Sequence, residues 1–138
     1  GQLSQLGYNC AIAQHPGGEH MDAHTNKYAK EFASLINQAK IAVTCTGAPN
    51  SRYGKYVEVP MCGTALAGDI PGEDQENFRK FVIEINLDMT DEEIIDKLVY
   101  YLRDSDARNE LIQSGLKWSE DHTQEKYAER FVQMLESL

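Results

Sequence analysis

The side chains best suited to chemistry gather in one stretch, Asn50-Ser51-Arg52-Tyr53-Gly54-Lys55-Tyr56-Val57-Glu58-Val59-Pro60-Met61-Cys62-Gly63. Two cations, Arg52 and Lys55, and one carboxylate, Glu58, fall within seven residues of each other. An apolar run over 41–45 leads into the stretch and a second, over 64–67, follows it. That order predicts a strand, a polar loop with a short helix, and another strand. In a parallel α/β sheet the loops beyond the carboxyl ends of strands take ligands, and a helix N-terminus offers unpaired N–H groups to an anion. The stretch is therefore expected to bind an anion through Arg52, Lys55 and the backbone of Ser51 to Gly54. Two solvated surface cations remain the plainer reading of the same pair. Other chemistries find less support: there is no Gly-Lys-Ser/Thr of a P-loop and no Ser-His-Asp or Cys-His arrangement. His20 and His24 with Glu19 and Asp22 have a spacing that suits a metal on a helix. A zinc site needs three or four convergent ligands, however, and a polar loop explains the cluster, so no metal is expected.

Length and composition bound the setting. A chain of 138 residues is expected to form a single domain, long enough for its own core. A net charge of −9 argues against a general nucleic-acid or anionic-membrane surface, while leaving room for a local basic pocket. Three cysteines, Cys10, Cys45 and Cys62, fit no disulfide framework. Two of them lie in apolar surroundings, so buried thiols in a reducing, cytoplasmic compartment are expected. Cys62, after Met61 on an apolar helix face, reads as core and not as a nucleophile. No apolar run approaches the roughly 18–20 residues of a membrane-spanning helix, and the first residues carry no secretory pattern.

The elements that must position the charged stretch follow from periodicity. Residues 8–13 form a short apolar run ending in Gln14-His15-Pro16-Gly17-Gly18, which predicts a first strand feeding a loop. His15 would then lie on the same sheet edge as the charged stretch. Tyr28, Phe32, Leu35, Ile36 and Ala39 recur at helical spacing over 25–39. After the strand at 64–67, Gly68-Asp69-Ile70-Pro71-Gly72 is a stop signal; 73–80 is polar, a loop or short helix, and 81–85 is another strand candidate. Thr90 with Glu93 makes a capping box and Met89 with Ile94 a hydrophobic staple, opening a helix whose apolar face is Ile94, Ile95, Leu98, Val99 and Leu102. A second helix is expected over 106–116, with Leu111 and Ile112 inward. A last helix begins near 121–123 and carries Tyr127, Phe131, Leu135 and Leu138 on one side; Trp118 is expected to pack that helix. Strands alternating with helices, without hairpin signals, predict an α/β fold built on a parallel sheet.

In this order the features resemble the C-terminal half of GT-B glycosyltransferases of the group 1 type. The likeness is carried by Asn37-Gln38-Ala39-Lys40-Ile41-Ala42-Val43, by Lys55 to Thr64 with Gly63 five residues after Glu58, by Asp91 to Gly115 including Leu102-Arg103-Asp104-Ser105-Asp106-Ala107-Arg108, and by His122-Thr123 before the last helix. It runs through about 8–138. It implies a Rossmann-like parallel sheet of about four to five strands with helices on both faces and C-terminal helices closing the domain. It further implies that this is the donor half of an enzyme whose N-terminal, acceptor-binding domain is absent from the chain and packs on the C-terminal helix.

The resemblance also assigns roles. Glu58 matches the family's ribose-binding Glu, a carboxylate able to accept from two adjacent hydroxyls. A solvated Glu in the first turns of a helix is the alternative. Arg52, Lys55, Ser51 and Gly54 become candidates for the donor diphosphate, and Asn50, Tyr53 and His15 for the donor sugar or base. Asn50 stands where many group 1 enzymes have a second Glu, so no catalytic role is assigned to it, although it could still hydrogen-bond a sugar hydroxyl; a turn residue after Pro49 is its plain reading. The donor would be a nucleoside-diphosphate sugar and the acceptor is unspecified. No metal cofactor is implied, since helix dipole and side-chain cations serve instead. Two rivals stand beside this. A non-catalytic Rossmann-like module would bind a ligand or protein through the same cleft. A receiver domain needs acidic groups at the ends of early strands, where this chain has Gln14-His15 and Cys45-Thr46.

Overall fold

Strand β2 (Ala65–Gly68) is buried at all four positions and lies between β1 (Ile41–Val43) and β3 (Val82–Glu84). In the computed structural model, which describes residues 1–13, 27–48 and 50–138, both pairings are parallel: Ile41 stands beside Ala65, Leu66 beside Val82 and Gly68 beside Glu84. A strand covered on both faces needs no polar alternation, and Ala-Leu-Ala-Gly has none. Its side chains divide between two cores. Leu66 and Val82 meet Ile36 of α2 (Lys27–Gln38), Tyr56 and Val59 of α3 (Lys55–Met61), and Phe78 of α4 (Gln75–Phe78). Ala65, Ala67 and Ile83 meet Leu98 of α5 (Asp91–Arg103), with Leu111 and Ile112 of α6 (Ser105–Ser119) and Leu3 of α1 (Gln2–Gln5) packed alongside. Helices thus cover both faces of the Rossmann-like sheet, as expected. Strands that follow one another in sequence order, joined by connections of one hand, place their crossovers on one side. Accordingly, α3 and α4 both bury residues in the Leu66 core.

The sheet has three strands among the described residues, where four to five were expected. The run 8–13 forms no strand, and Ile12 is 93% exposed. An apolar run becomes a strand only where a neighbouring edge takes its backbone hydrogen bonds. Here the segment after α1 turns back on that helix, the Tyr8 N–H donating to the Leu3 carbonyl at 3.1 Å, and Arg103 Nε donates to the Tyr8 hydroxyl at 3.2 Å. The cysteine expectation fails for a related reason. Cys10 and Cys45 are exposed, and only Cys62 is partly covered, against the Leu66 core. Cys45 lies just past β1, a sheet-edge strand whose Val43 is itself exposed.

The helix ends obey their local signals. Thr90 and Glu93 form the complete capping box of α5, Asp104 accepts from the Ala107 N–H to start α6, and Thr123 accepts from the Lys126 N–H to start α7 (Gln124–Glu136). Gly115 lets α6 approach α3 closely: a Cβ there would stand 3.3 Å from both Pro60 and Phe81. Trp118 turns toward the core, its ring tilted on Phe78 and Phe81. Helix α7 buries no residue at all, and Phe131 and Leu135 are at least half exposed.

At the end of β2 the backbone has no room for a side chain, since a Cβ on Gly68 would lie 2.7 Å from the Thr44 carbonyl oxygen and 3.0 Å from the Tyr56 hydroxyl. Gly68→Ala should therefore destabilise the fold by about 1–3 kcal/mol, the usual cost of overpacking. Urea unfolding checks this, and an unchanged midpoint would show that the strand ends can separate freely.

Candidate functional site

The loops that leave β1 and β2 emerge on the same sheet edge because the strands are parallel. One carboxylate joins them. Asp69, the first residue after β2, accepts the Thr46 N–H at 2.7 Å through Oδ1 and the Thr46 hydroxyl through Oδ2. The Tyr56 hydroxyl, at the start of α3, donates to the Asp69 carbonyl at 2.6 Å and to Oδ1 at 3.1 Å. Further out, the loops touch again: the Gly72 N–H donates to the Asn50 carbonyl at 2.8 Å and the Arg52 N–H to Glu73 Oε1 at 2.9 Å. Asn50 holds φ at 61° and Asp74 at 54°, left-handed values that Asn and Asp adopt more readily than most residues.

Each residue singled out in the sequence has a definite place, apart from His15, which lies outside the described residues together with Glu19, His20, Asp22 and His24. Asn50 is exposed, its carbonyl committed to Gly72. Ser51 is exposed and its carbonyl accepts from the Gly47 N–H at 3.1 Å, pinching the loop into a small antiparallel bridge. Tyr53 lies over Gly47, so closely that a Cβ there would overlap its hydroxyl. Gly54 precedes α3, next to the Glu58 carboxylate. The charged groups fall into two clusters. Lys55 Nζ donates to Glu58 Oε2 at 2.7 Å and lies 4.1 Å over the Phe32 ring of α2. Arg52 turns the other way, with Nε 3.8 Å from Glu73, Nη2 donating to the Tyr127 hydroxyl, and its guanidinium 5.7 Å from the Trp118 ring.

Around Trp118 the packing is aromatic and polar at once. His122 stacks on its ring at 3.7 Å, Tyr127 meets His122 edge-on, and the indole N–H donates to Asp74 at 3.0 Å. Arg52 therefore ties the β1 loop to the β2 loop and to both C-terminal helices. Sequence reading missed Asp69, Glu73 and Asp74 as parts of this edge. An Asp directly after an apolar strand was the available signal, since that position opens onto the ligand edge of a parallel sheet. Among the described residues no group of three or more potential metal ligands gathers, and no helix is long and apolar enough to cross a membrane.

An α/β domain with charged loops at the carboxyl edge of a parallel sheet is the class that the geometry defines. The chain belongs to the glycosyl transferase-like family, whose model matches residues 3–136 and so takes in the whole of that edge. The glycosyltransferase resemblance read from the sequence is thereby borne out. No curated protein and no solved structure matches the chain.

The titration of the Asp69 carboxyl reflects its role. Burial works against its charge, but the hydrogen bonds from the Thr46 hydroxyl and N–H and from Tyr56 outweigh burial and hold it below the ordinary value of 3.8. Burial first, then the Asp69 charge, pushes the Tyr56 hydroxyl well above its usual range, so it stays a neutral donor. A carboxyl lowered in the folded state adds stability that is complete above the unfolded value and is lost as pH falls through the folded one. The stability advantage of the wild type over Asp69→Asn should thus be constant from pH 6 to pH 5 and shrink through the acid range below about pH 4. Urea unfolding at stepped pH tests this; a gap that stayed constant down to full protonation would mean the charge contributes nothing.

Proposed function

We propose that this domain is the donor-binding half of a group 1 GT-B glycosyltransferase, holding a nucleoside-diphosphate sugar for transfer of its glycosyl group to an acceptor on a second domain. The family match across 3–136 carries the reading. Arg52, Lys55 and the N–H groups of Ser51 and Gly54 take the diphosphate, Glu58 the ribose hydroxyls, and Asn50, Tyr53 and His15 the sugar or base. As the bond between anomeric carbon and phosphate oxygen breaks, the nucleoside diphosphate leaves with the electron pair and gains negative charge, which prepositioned cations stabilise. Lys55 is available for this at small cost. Its bond to Glu58 joins two side chains that are 41% and 49% exposed, and ion pairs in water contribute little. The exposed apolar face of α7 is the proposed seat of the acceptor domain, and the cytoplasm the proposed compartment. No metal is assigned to the transfer.

One observation favours a second reading, a non-catalytic module that binds a ligand or protein. Arg52 and Lys55 serve different clusters, and Arg52 already satisfies Glu73 and Tyr127.

A thermal-shift panel of UDP-, GDP-, ADP- and dTDP-sugars separates the two. Donor binding predicts a rise in melting temperature for sugars of one base. Against that ligand, Glu58→Ala and Arg52→Ala should each weaken affinity about 10- to 100-fold, the worth of a charged hydrogen bond. A panel without response, or a responding ligand whose affinity neither substitution changes, would favour the binding module.

A further inference from the structure

We infer that Asp69 is the positioning residue of the donor loop, fixing both ends of residues 46–56 from the end of β2 without itself touching the donor. The inference rests on the donor reading proposed above.

Its physical basis is the reach of one side chain to two distant points of the loop. Thr46 begins the stretch, and Tyr56, whose hydroxyl donates to Oδ1 at 3.1 Å as well as to the Asp69 carbonyl, ends it inside the first turn of α3. Between them lie Asn50, Ser51, Tyr53 and Gly54, all exposed, and Arg52. The loop's remaining hydrogen bonds do not anchor it to the sheet. The Gly47–Ser51 bridge is internal, and the hydrogen bonds of Asn50 and Arg52 run to Gly72, Glu73 and Tyr127, which are themselves exposed and lie outside the sheet. Asp69, by contrast, is attached to a fixed base. Gly68 pairs with Glu84, the Ile85 N–H donates to the Gly68 carbonyl at 3.0 Å, and the Thr44 N–H donates to the Ala67 carbonyl at 2.9 Å. A loop that must become ordered when ligand arrives binds more weakly than one already held, because the ordering entropy is subtracted from the affinity. Asp69 removes that cost for Arg52, Gly54 and Lys55 together.

Asn at this position is the informative control. Its Oδ1 still accepts the Thr46 N–H and the Tyr56 hydroxyl, and its Nδ2 can donate to the Thr46 hydroxyl once that hydroxyl turns. Ala removes every one of these bonds to the side chain. The test compares wild type, Asp69→Asn and Asp69→Ala as the full chain, by amide hydrogen exchange and by affinity for whichever UDP-, GDP-, ADP- or dTDP-sugar shifts the wild-type melting temperature. In Asp69→Ala the amides of 46–56 should exchange at least about tenfold faster, with Leu66, Ala67 and Ile83 little changed, and donor affinity should fall about tenfold or more. Asp69→Asn should restore both to within about threefold of wild type. Unchanged loop exchange in Asp69→Ala overturns the inference. So does faster exchange with unaltered affinity, or an Asn variant no better than Ala. Should Asp69→Ala not fold, Thr46→Val removes the hydroxyl bond to Oδ2 while keeping the N–H bond to Oδ1, Tyr56→Phe removes the Tyr56 bonds to Oδ1 and to the Asp69 carbonyl, and both are judged by the same two readouts. If no sugar shifts the wild type, it is the donor reading that fails, and loop exchange alone decides whether Asp69 holds the loop.

Discussion

The hydrogen bonds that converge on Asp69 are the constraint on which the rest of this edge depends. Parallel strands deliver their outgoing loops to one side of the sheet, but they do not make those loops keep company. Joining the loops needs an acceptor at the end of the middle strand and donors on the loop beside it. Asp69 supplies the acceptor, and Thr46 and Tyr56 supply the donors. The approach is possible because Gly68 leaves its space to the Thr44 carbonyl and the Tyr56 hydroxyl. Tyr56 belongs to both worlds: its ring is fully buried against Phe78, and its hydroxyl reaches the loop edge. Core packing and loop geometry are coupled through that residue.

The same edge shows how charge is distributed in a protein that is acidic overall. Arg52 and Lys55 each have a carboxylate partner and an aromatic surface, Glu73 with Trp118 and Glu58 with Phe32. A guanidinium keeps its planar face for an aromatic ring while its edge donates hydrogen bonds, so Arg52 can link two loops and two helices. Lys55 is a point charge on a mobile stem and makes a simpler contact. This division gives the two cations different prospects in a ligand site: Lys55 is easily redirected, and Arg52 is structural already. Helix α7 depends on the Arg52 cluster, on the bond from Arg130 to the Asp121 carbonyl, and on its Thr123 cap, having no buried side chain of its own.

Much of the fold was legible because it rests on local signals. The capping box of Thr90 and Glu93, the apolar run of β2 and the helical spacing of Phe32 and Ile36 each specify an element without help from elsewhere. The failures share a cause. Residues 8–13 have the composition of a strand, but a strand exists only where an edge receives it, and composition carries no information about edges. Two of the cysteines were expected to be buried, yet among the described residues β1 is an outer strand and Cys45 beside it is exposed. At the candidate site, the cluster of Arg52, Lys55 and Glu58 was visible as spacing, but the directions of the side chains were not. Those directions are set by Glu73, Tyr127 and Phe32, each distant in sequence from the residue it holds.

The edge formed by the loops after β1 and β2 is the proposed seat of the ligand. That placement is tested most directly by recording backbone amide NMR shifts while a nucleotide sugar is titrated in. The largest changes are expected on residues 50–58 and 72–74, with smaller ones at Thr46 and Asp69. Changes centred elsewhere, for example on Gln2, Gln5, Glu92 and Asp96, which line the hollow between α1 and α5, would contradict that placement.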